Sequence, residues 1–89
     1  MILIVNYALR DPLRDYTPFN NAIKTNCVAW WHFLDSTYIV STGLSADQFA
    51  TKLLPYILET DSLFVARLHS EQQGWLPKEA WDWLNNKTY

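Results

Sequence analysis

The middle of the chain constrains its fold more than any other part does. Two apolar runs, residues 29–34 and 37–42, flank Asp35 and Ser36, which form turns readily, so the pattern predicts a β-hairpin. Ser45 follows the second run, and Gln48 stands three residues further on. This is the spacing of a capping box, which marks the first turn of a helix. A hairpin that leads directly into a helix is therefore expected.

Residues 2–8 and 62–68 are predicted to form two further strands. In the first of them, Ile2 and Ile4 alternate with Leu3 and Val5, so both faces of the strand are apolar. The second strand repeats this pattern. Strands with two apolar faces are covered on both sides in folded proteins, so we expect cover on both faces of these two.

Three short helices complete the pattern. Thr17 is predicted to cap the first, with Pro18 at its first helical position, where proline is well tolerated. The second is predicted to begin at Ala46, and Pro55 should end its α-helical part because proline lacks the backbone donor. The third follows Pro77 near the end of the chain.

The predicted order is βαββαβ with a terminal helix, which is the arrangement of the ferredoxin-like α+β fold, in a single domain over residues 1–89. In this fold two helices cover one face of a four-stranded antiparallel sheet. The other face would be bare, and a second copy of the chain related by a two-fold axis is the economical cover for it. We therefore expect a homodimer.

The composition supports this expectation. Of the residues 49% are hydrophobic, with five Trp, five Tyr and four Phe, which is more large apolar surface than a lone core of 89 residues needs. Aromatic residues are enriched at interfaces between subunits, although a ligand groove is a competing explanation. A short terminal helix with two tryptophans should dock on a partner subunit or over a sheet edge. The candidate interface residues are Tyr7, Trp30, Trp31, Trp75, Trp81 and Trp83.

Simple alternation predicts which face of the sheet each strand residue occupies. Trp30 and Trp31 are adjacent in a strand and should point to opposite faces of the sheet. His32 should share a face with Trp30 and Leu34. A lone histidine on an apolar strand is more often a hydrogen-bonded core residue than a ligand, and with His69 far away no metal site is predicted.

Charge and cysteine content restrict the partners and the compartment. The formal net charge of -2 does not favour a strongly electrostatic partner such as nucleic acid. The single cysteine, Cys27, cannot form an internal disulfide, so a reducing cytoplasm is expected and Cys27 is interpreted as a buried small apolar residue. The apolar start of the chain is too short for a signal peptide or a membrane span. Neither a cofactor nor a membrane is predicted.

Four short stretches carry a resemblance to a known family: Asn6-Tyr7-Ala8-Leu9, residues 30–37, Leu44-Ser45-Ala46 and Gly74-Trp75-Leu76-Pro77. The chain resembles the small bacterial and phage proteins labelled SinR family. These proteins in turn resemble the ferredoxin-like CRISPR-associated endoribonucleases and the virulence-associated protein D toxins. The resemblance covers most of the chain, and residues 30–37 are its most specific part.

The resemblance implies a metal site that this chain departs from. In the CRISPR-associated family the first strand ends in a tyrosine-like residue followed by aspartate, and the two aspartates of a dimer hold a divalent metal. Here Tyr7 is followed by Ala8. A methyl group cannot bind Mg²⁺, so the implied nuclease activity is not expected, whether the aspartate was lost or Ala8 was introduced deliberately.

The expected function is that of a non-catalytic dimeric interaction module in a phage-defence or mobile-element system, as the resemblance implies. Two alternatives stay open. One is a metal-dependent nuclease, acting on RNA or double-stranded DNA with Mg²⁺, that is inactivated at Ala8. The other is a protein that binds nucleic acid without cleaving it, for which Arg10, Arg14 and Lys24 are the candidate contacts.

Overall fold

The computed structural model describes residues 1–89 and contains four strands and three α-helices. The elements in chain order are β1 (Ile2–Ala8), α1 (Thr17–Thr25), β2 (Ala29–Leu34), β3 (Thr37–Ser41), α2 (Ala46–Leu53), β4 (Ser62–Arg67) and α3 (Lys78–Asn85). The strands form one antiparallel sheet in the order β2-β3-β1-β4. This is the predicted ferredoxin-like α+β arrangement with a short terminal helix, and the prediction is confirmed.

Strand β1 lies in the interior of the sheet, and β2 and β4 form its two edges. Ile4 shows the register, since it is paired with Ile39 of β3 on one side and with Ala66 of β4 on the other. Side chains of successive residues point to opposite faces of a sheet. Leu3 and Val5 therefore point to one face, and Ile2 and Ile4 to the other.

Helices α1 and α2 cover the first of these faces. Their apolar sides bury Phe19 and Ile23 of α1 and Phe49 and Leu53 of α2, each with no exposed surface. The residues buried in this main core are Leu3, Val5, Phe19, Ala22, Ile23, Tyr38, Val40, Phe49 and Leu53. The hydrophobic effect of this burial is the principal force that holds the two helices to the sheet.

The second face of the sheet is partly covered by α3 of the same chain. Ala80 and Leu84 of α3 pack against Ile2, Trp31 and Ile39, and these five side chains form a second buried cluster. The expectation that this face is bare within one chain is therefore wrong. The sequence does show the reason, because α3 carries its apolar residues on one side and needs an apolar surface to dock on.

The helix caps agree with the sequence pattern at α2 and differ from it at α1. The hydroxyl of Ser45 accepts a hydrogen bond from the backbone N–H of Gln48 at 3.2 Å, and the Gln48 side chain accepts one from the Ser45 N–H at 3.0 Å, so the capping box is confirmed. At α1 the cap position is Tyr16, one residue before the predicted Thr17. The carboxylate of Asp15 accepts the backbone N–H of Thr17 at 2.9 Å, so this donor is satisfied from outside the helix.

The α-helical part of α2 ends at Leu53, as Pro55 predicts, and a single 3₁₀ turn, Leu54–Tyr56, follows it. Proline is accommodated in that turn because its missing N–H is not needed at the start of a helix. The α-helix thus ends shortly before Pro55, which has no backbone N–H to donate.

A β-bulge in β2 changes the faces of its last residues. Trp31 is paired with Ile39, but the next pair is Leu34 with Thr37, so β2 has one residue more than β3 over this stretch. Leu34 therefore lies on the same face as Trp31. The expectation that Leu34 shares the face of His32 is wrong, because simple alternation does not survive a bulge.

Candidate interaction surface

The part of the second sheet face beyond α3 carries large exposed apolar side chains. Phe64 in β4 is 65% exposed, and Phe33 and Leu34 at the end of β2 are 45% and 46% exposed. The predicted cover on both faces of the last strand is therefore wrong for Phe64. Edge strands with exposed apolar side chains are surfaces on which another chain can pack. We call Phe33, Leu34 and Phe64 the exposed apolar face.

A polar residue lies between the two edges of this face. Asn6 of β1 is opposite Thr37 on one side and Phe64 on the other. Its side-chain amide donates to the Thr37 hydroxyl at 2.8 Å and to the Ser36 carbonyl at 3.1 Å. Because both amide protons are bound within the chain, Asn6 can lie in an interface with only its oxygen left to hydrate or pair.

An apolar groove of ≈ 280 Å³ adjoins the exposed apolar face. Its floor is the second sheet face, and its walls are α3 and the segment that precedes α3. Eleven residues line it, eight of them hydrophobic: Ile4, Trp31, Leu34, Ile39, Leu68, Glu71, Gln72, Gln73, Leu76, Trp81 and Leu84. Leu34 belongs both to the groove and to the exposed apolar face, so the two are continuous.

Trp75 lies in the segment between β4 and α3, next to Leu76, which lines the groove. Its side chain is 99% exposed, the highest exposure among the large apolar residues. Removing an exposed indole from water is favourable, because each Å² of apolar surface that is buried contributes about 25 cal/mol of free energy. Within the single chain this gain is not realised.

The other predicted interface residues are engaged within the chain. Trp31 is 1% exposed, and its indole N–H donates to the Ala80 carbonyl at 3.3 Å. Trp81 and Trp83 are partly buried and pack beside it against the second cluster. Tyr7 lies on the helix-covered face, where its ring meets that of Phe19 edge to face at 5.1 Å. None of these four side chains is as exposed as that of Trp75.

Trp30 and Trp31 point to opposite faces, as predicted. Trp30 lies on the helix side at the edge of the sheet, 44% exposed, with the Lys24 ammonium 4.6 Å from its ring centroid. His32, on the same side, stacks on Tyr38 with ring centroids 4.0 Å apart. Its Nδ1 lies 2.8 Å from the carbonyl oxygen of Thr37, and because a carbonyl only accepts, Nδ1 carries the donated proton. His32 is thus hydrogen-bonded as expected, but it lies exposed at the bulge and not in the core.

The three basic candidates for nucleic-acid contact do not gather at one site. Arg10 and Arg14 precede α1, and the Arg14 guanidinium lies 5.6 Å from the Tyr16 ring centroid. Lys24 lies at the opposite end of α1. A helix of this length spans about 13 Å. Lys24 is therefore separated from the two arginines, and the three candidates do not form one basic patch.

The residues around Ala8 do not fit a magnesium site. Ala8 is paired with Ser62 at the end of β1, and by alternation it lies on the second face with Asn6. The carboxylate nearest in sequence to Ser62 is Asp61, and its oxygens accept from the N–H of Arg10 at 2.8 Å and of Leu58 at 2.9 Å. A carboxylate engaged in this way has little capacity left for a cation, whose preferred ligands are carboxylate oxygens.

Asp61 has a structural role that no local sequence pattern indicates. Besides the two N–H groups, it accepts the Tyr16 hydroxyl at 2.9 Å on both oxygens. Burial alone raises the pKa of Asp61, but the hydrogen bonds from Leu58, Arg10 and Tyr16 and the nearby Arg14 charge outweigh it and hold the pKa below its ordinary value. The carboxylate joins the end of β1, the start of α1 and the segment after α2.

Two further ionisable groups are perturbed by their surroundings. Burial, followed by the neighbouring Tyr38 and Asp35, raises the pKa of Tyr7 to about 12. Burial also raises the pKa of the Cys27 thiol, whose sulfur lies 3.6 Å from the Lys24 carbonyl. A raised thiol pKa disfavours the nucleophilic thiolate. Cys27 packs against the main core as a partly buried residue, so the prediction that it is buried is only partly met.

No group of three or more His, Cys, Asp or Glu side chains is arranged so that it could hold a metal ion. None of the helices combines the length and the apolar character that crossing a membrane requires.

No protein-family model, no curated protein and no solved structure matches the chain.

The sequence prediction missed the residues of the exposed apolar face. The sequence pattern predicts cover for Phe64, places Leu34 on the face of His32 and assigns Phe33 only to the hairpin. The signal for Phe64 was present in its position on the last strand of the βαββαβ order, because that strand is at a sheet edge in this fold. No local signal exists for Leu34, since its face depends on the bulge.

Proposed function

We propose that this chain is a non-catalytic interaction module that works as a homodimer in the cytoplasm, in the phage-defence or mobile-element setting that the sequence resemblance implies. The observation that carries the proposal is the exposed apolar face next to an apolar groove. Phe33, Leu34 and Phe64 present large apolar surface on one side of one sheet.

A second copy of the chain is the simplest partner for this face. Its chemistry is mainly apolar, and hydrophobic burial is the main favourable term in most associations of proteins. A two-fold axis pairs identical patches, so an apolar patch is complementary to itself. A charged partner such as nucleic acid would instead require a basic surface, and Arg10, Arg14 and Lys24 are dispersed.

The proposal is tested by the oligomeric state of the purified chain. We expect sedimentation velocity to show a dimer at micromolar concentration. Replacing Phe64→Glu places a charge in the exposed apolar face and should shift the chain to monomer without unfolding it, because Phe64 is mostly exposed. Leu13→Glu is the matched control, since Leu13 is 95% exposed at a different site. A folded wild-type monomer at these concentrations contradicts the proposal.

The alternative of an inactivated nuclease rests on the position of Ala8. Since Ala8 lies on the second face, a carboxylate introduced there in each copy of a dimer would face the partner side of the sheet. The variant Ala8→Asp, assayed on RNA and double-stranded DNA with Mg²⁺ or Mn²⁺, separates the two functions. We expect no cleavage from the wild type or from the variant. Metal-dependent cleavage by the variant alone would favour the inactivated nuclease.

A further inference from the structure

We infer that Trp75 of one copy inserts into the apolar groove of a second copy, and that this exchange is reciprocal. The inference rests on the proposed homodimer and names the residue that makes it. Trp75 is 99% exposed, while the groove beside it is open and eight of its eleven lining residues are hydrophobic.

The size of the groove suits a single aromatic side chain. Its volume of ≈ 280 Å³ is at the lower edge of small-molecule sites, which run from about 300 to 1,000 Å³. A buried apolar cavity of about 150 Å³ accepts benzene, so the larger two-ring indole fits a space of this volume. The polar residues Glu71, Gln72 and Gln73 lie on the preceding segment of the groove wall, where an indole N–H could find an acceptor.

The position of Trp75 permits a two-fold exchange. Trp75 directly precedes Leu76, which lines the groove, so on each copy the inserting side chain and the receiving groove are neighbours. An axis that passes close to this segment brings each tryptophan to the groove of the other copy. Such an interface is isologous, and its contact is made twice.

The area that a stable dimer needs also points to Trp75. A standard interface buries about 800 Å² on each partner, a little over half of it nonpolar. With about 200 Å² for each large side chain, the exposed fractions of Phe33, Leu34 and Phe64 amount to about 300 Å². This is short of the nonpolar area required. With Trp75 the total rises to about 500 Å², which meets it.

The test is the dimer dissociation constant measured by sedimentation equilibrium. Trp75→Ala should weaken the dimer by at least about 30-fold, the loss expected for a tryptophan at the centre of an interface. Leu13→Ala removes an equally exposed apolar side chain elsewhere and should change the constant by less than about twofold. Both variants should keep the thermal stability of the monomer fold, because neither side chain is buried in it.

The groove is tested with a second variant, Leu34→Ala, which removes one of the side chains that line it. If Trp75 occupies the groove, the two substitutions remove the same contact, and the double variant should be weaker by less than the product of the single effects. A dimer that Trp75→Ala leaves unchanged, or effects that multiply fully, would overturn the inference while the homodimer stands. A wild type that stays monomeric overturns the proposed function, and the exchange with it.

Discussion

The indole N–H of Trp31 donates a hydrogen bond to the backbone carbonyl of Ala80 at a distance of 3.3 Å, across 49 residues of chain. This bond joins the edge strand β2 to the first turns of α3. Trp31 is 1% exposed and Ala80 is 0% exposed, so the contact is shielded from water. A buried indole N–H needs such an acceptor, and the carbonyl on α3 supplies it.

Replacing Trp31→Ala should therefore destabilise the chain strongly. We expect a loss of about 3–5 kcal/mol in the free energy of unfolding, since a large buried aromatic side chain is removed and a cavity is left. The adjacent Trp30→Ala is the control. Trp30 is 44% exposed and rests on Lys24, so its removal should cost about 1 kcal/mol. Urea denaturation measures both values, and equal losses would contradict the assignment of the two faces.

The capping box of α2 gives a second expected outcome. Ser45→Ala removes the hydroxyl that accepts the Gln48 N–H and should lower the free energy of unfolding by about 1 kcal/mol. Ser70→Ala is a matched control at an exposed position outside any helix or strand, and it should change stability by less than about 0.5 kcal/mol. Thermal unfolding of the three proteins distinguishes these cases. If Ser45→Ala had the same melting temperature as the wild type, the capping box would contribute nothing to stability.

The Asp61 carboxylate should make stability depend on acid pH. Its pKa is held below the ordinary value in the folded chain, so its contribution is present above the unfolded pKa and is lost as the pH falls through the folded pKa. Asp61→Asn should lower the melting temperature at neutral pH and flatten its decline below about pH 4. Glu59→Gln, an exposed carboxylate two residues away, should leave that profile unchanged. An acid profile of Asp61→Asn identical to the wild type would contradict the role of this carboxylate.

Tyr7 should make the chain lose stability as the pH rises into the alkaline range, whereas Asp61 acts as the pH falls. Because burial raises its pKa to about 12, the neutral phenol is favoured in the folded chain. Its contribution is present below the unfolded pKa of about 10 and is lost as the pH rises through about 12. Tyr7→Phe should flatten the decline of the melting temperature over this interval. A decline as steep as that of the wild type would show that other groups cause it.

The sequence was sufficient to predict the order of the elements, because that order rests on local patterns. The alternation in β1, the turn at Asp35 and Ser36 and the box from Ser45 to Gln48 each involve neighbouring residues. The interactions that stabilise each of these features are made between residues close together in the sequence. The antiparallel ferredoxin-like sheet then follows from the known ways of connecting such elements.

The features that escaped prediction depend on distant contacts. Docking over a sheet edge is one of the two placements predicted for α3, but its position on the second sheet face depends on Trp31 and Ala80 meeting across the fold. The role of Asp61 depends on Arg10, 51 residues away. The face of Leu34 depends on a bulge whose extra residue has no sequence signature. Within the exposed apolar face, only Phe64 has a signal in the sequence, which is its place on the edge strand β4.

The placement of β1 between β3 and β4 has a consequence for how the chain acquires its structure. The strand that leaves the ribosome first among the four is the one whose two neighbours are both made later, and the last of them begins at Ser62. During synthesis one edge of β1 has no partner until Thr37–Ser41 is made, and the other edge has none until Ser62–Arg67 is made. Non-local pairing of this kind slows folding and prolongs the exposure of apolar, aggregation-prone segments. The sheet therefore cannot be completed before Ser62–Arg67 is made, and chaperones that bind apolar nascent segments should meet Ile2–Ala8 before the other three strands.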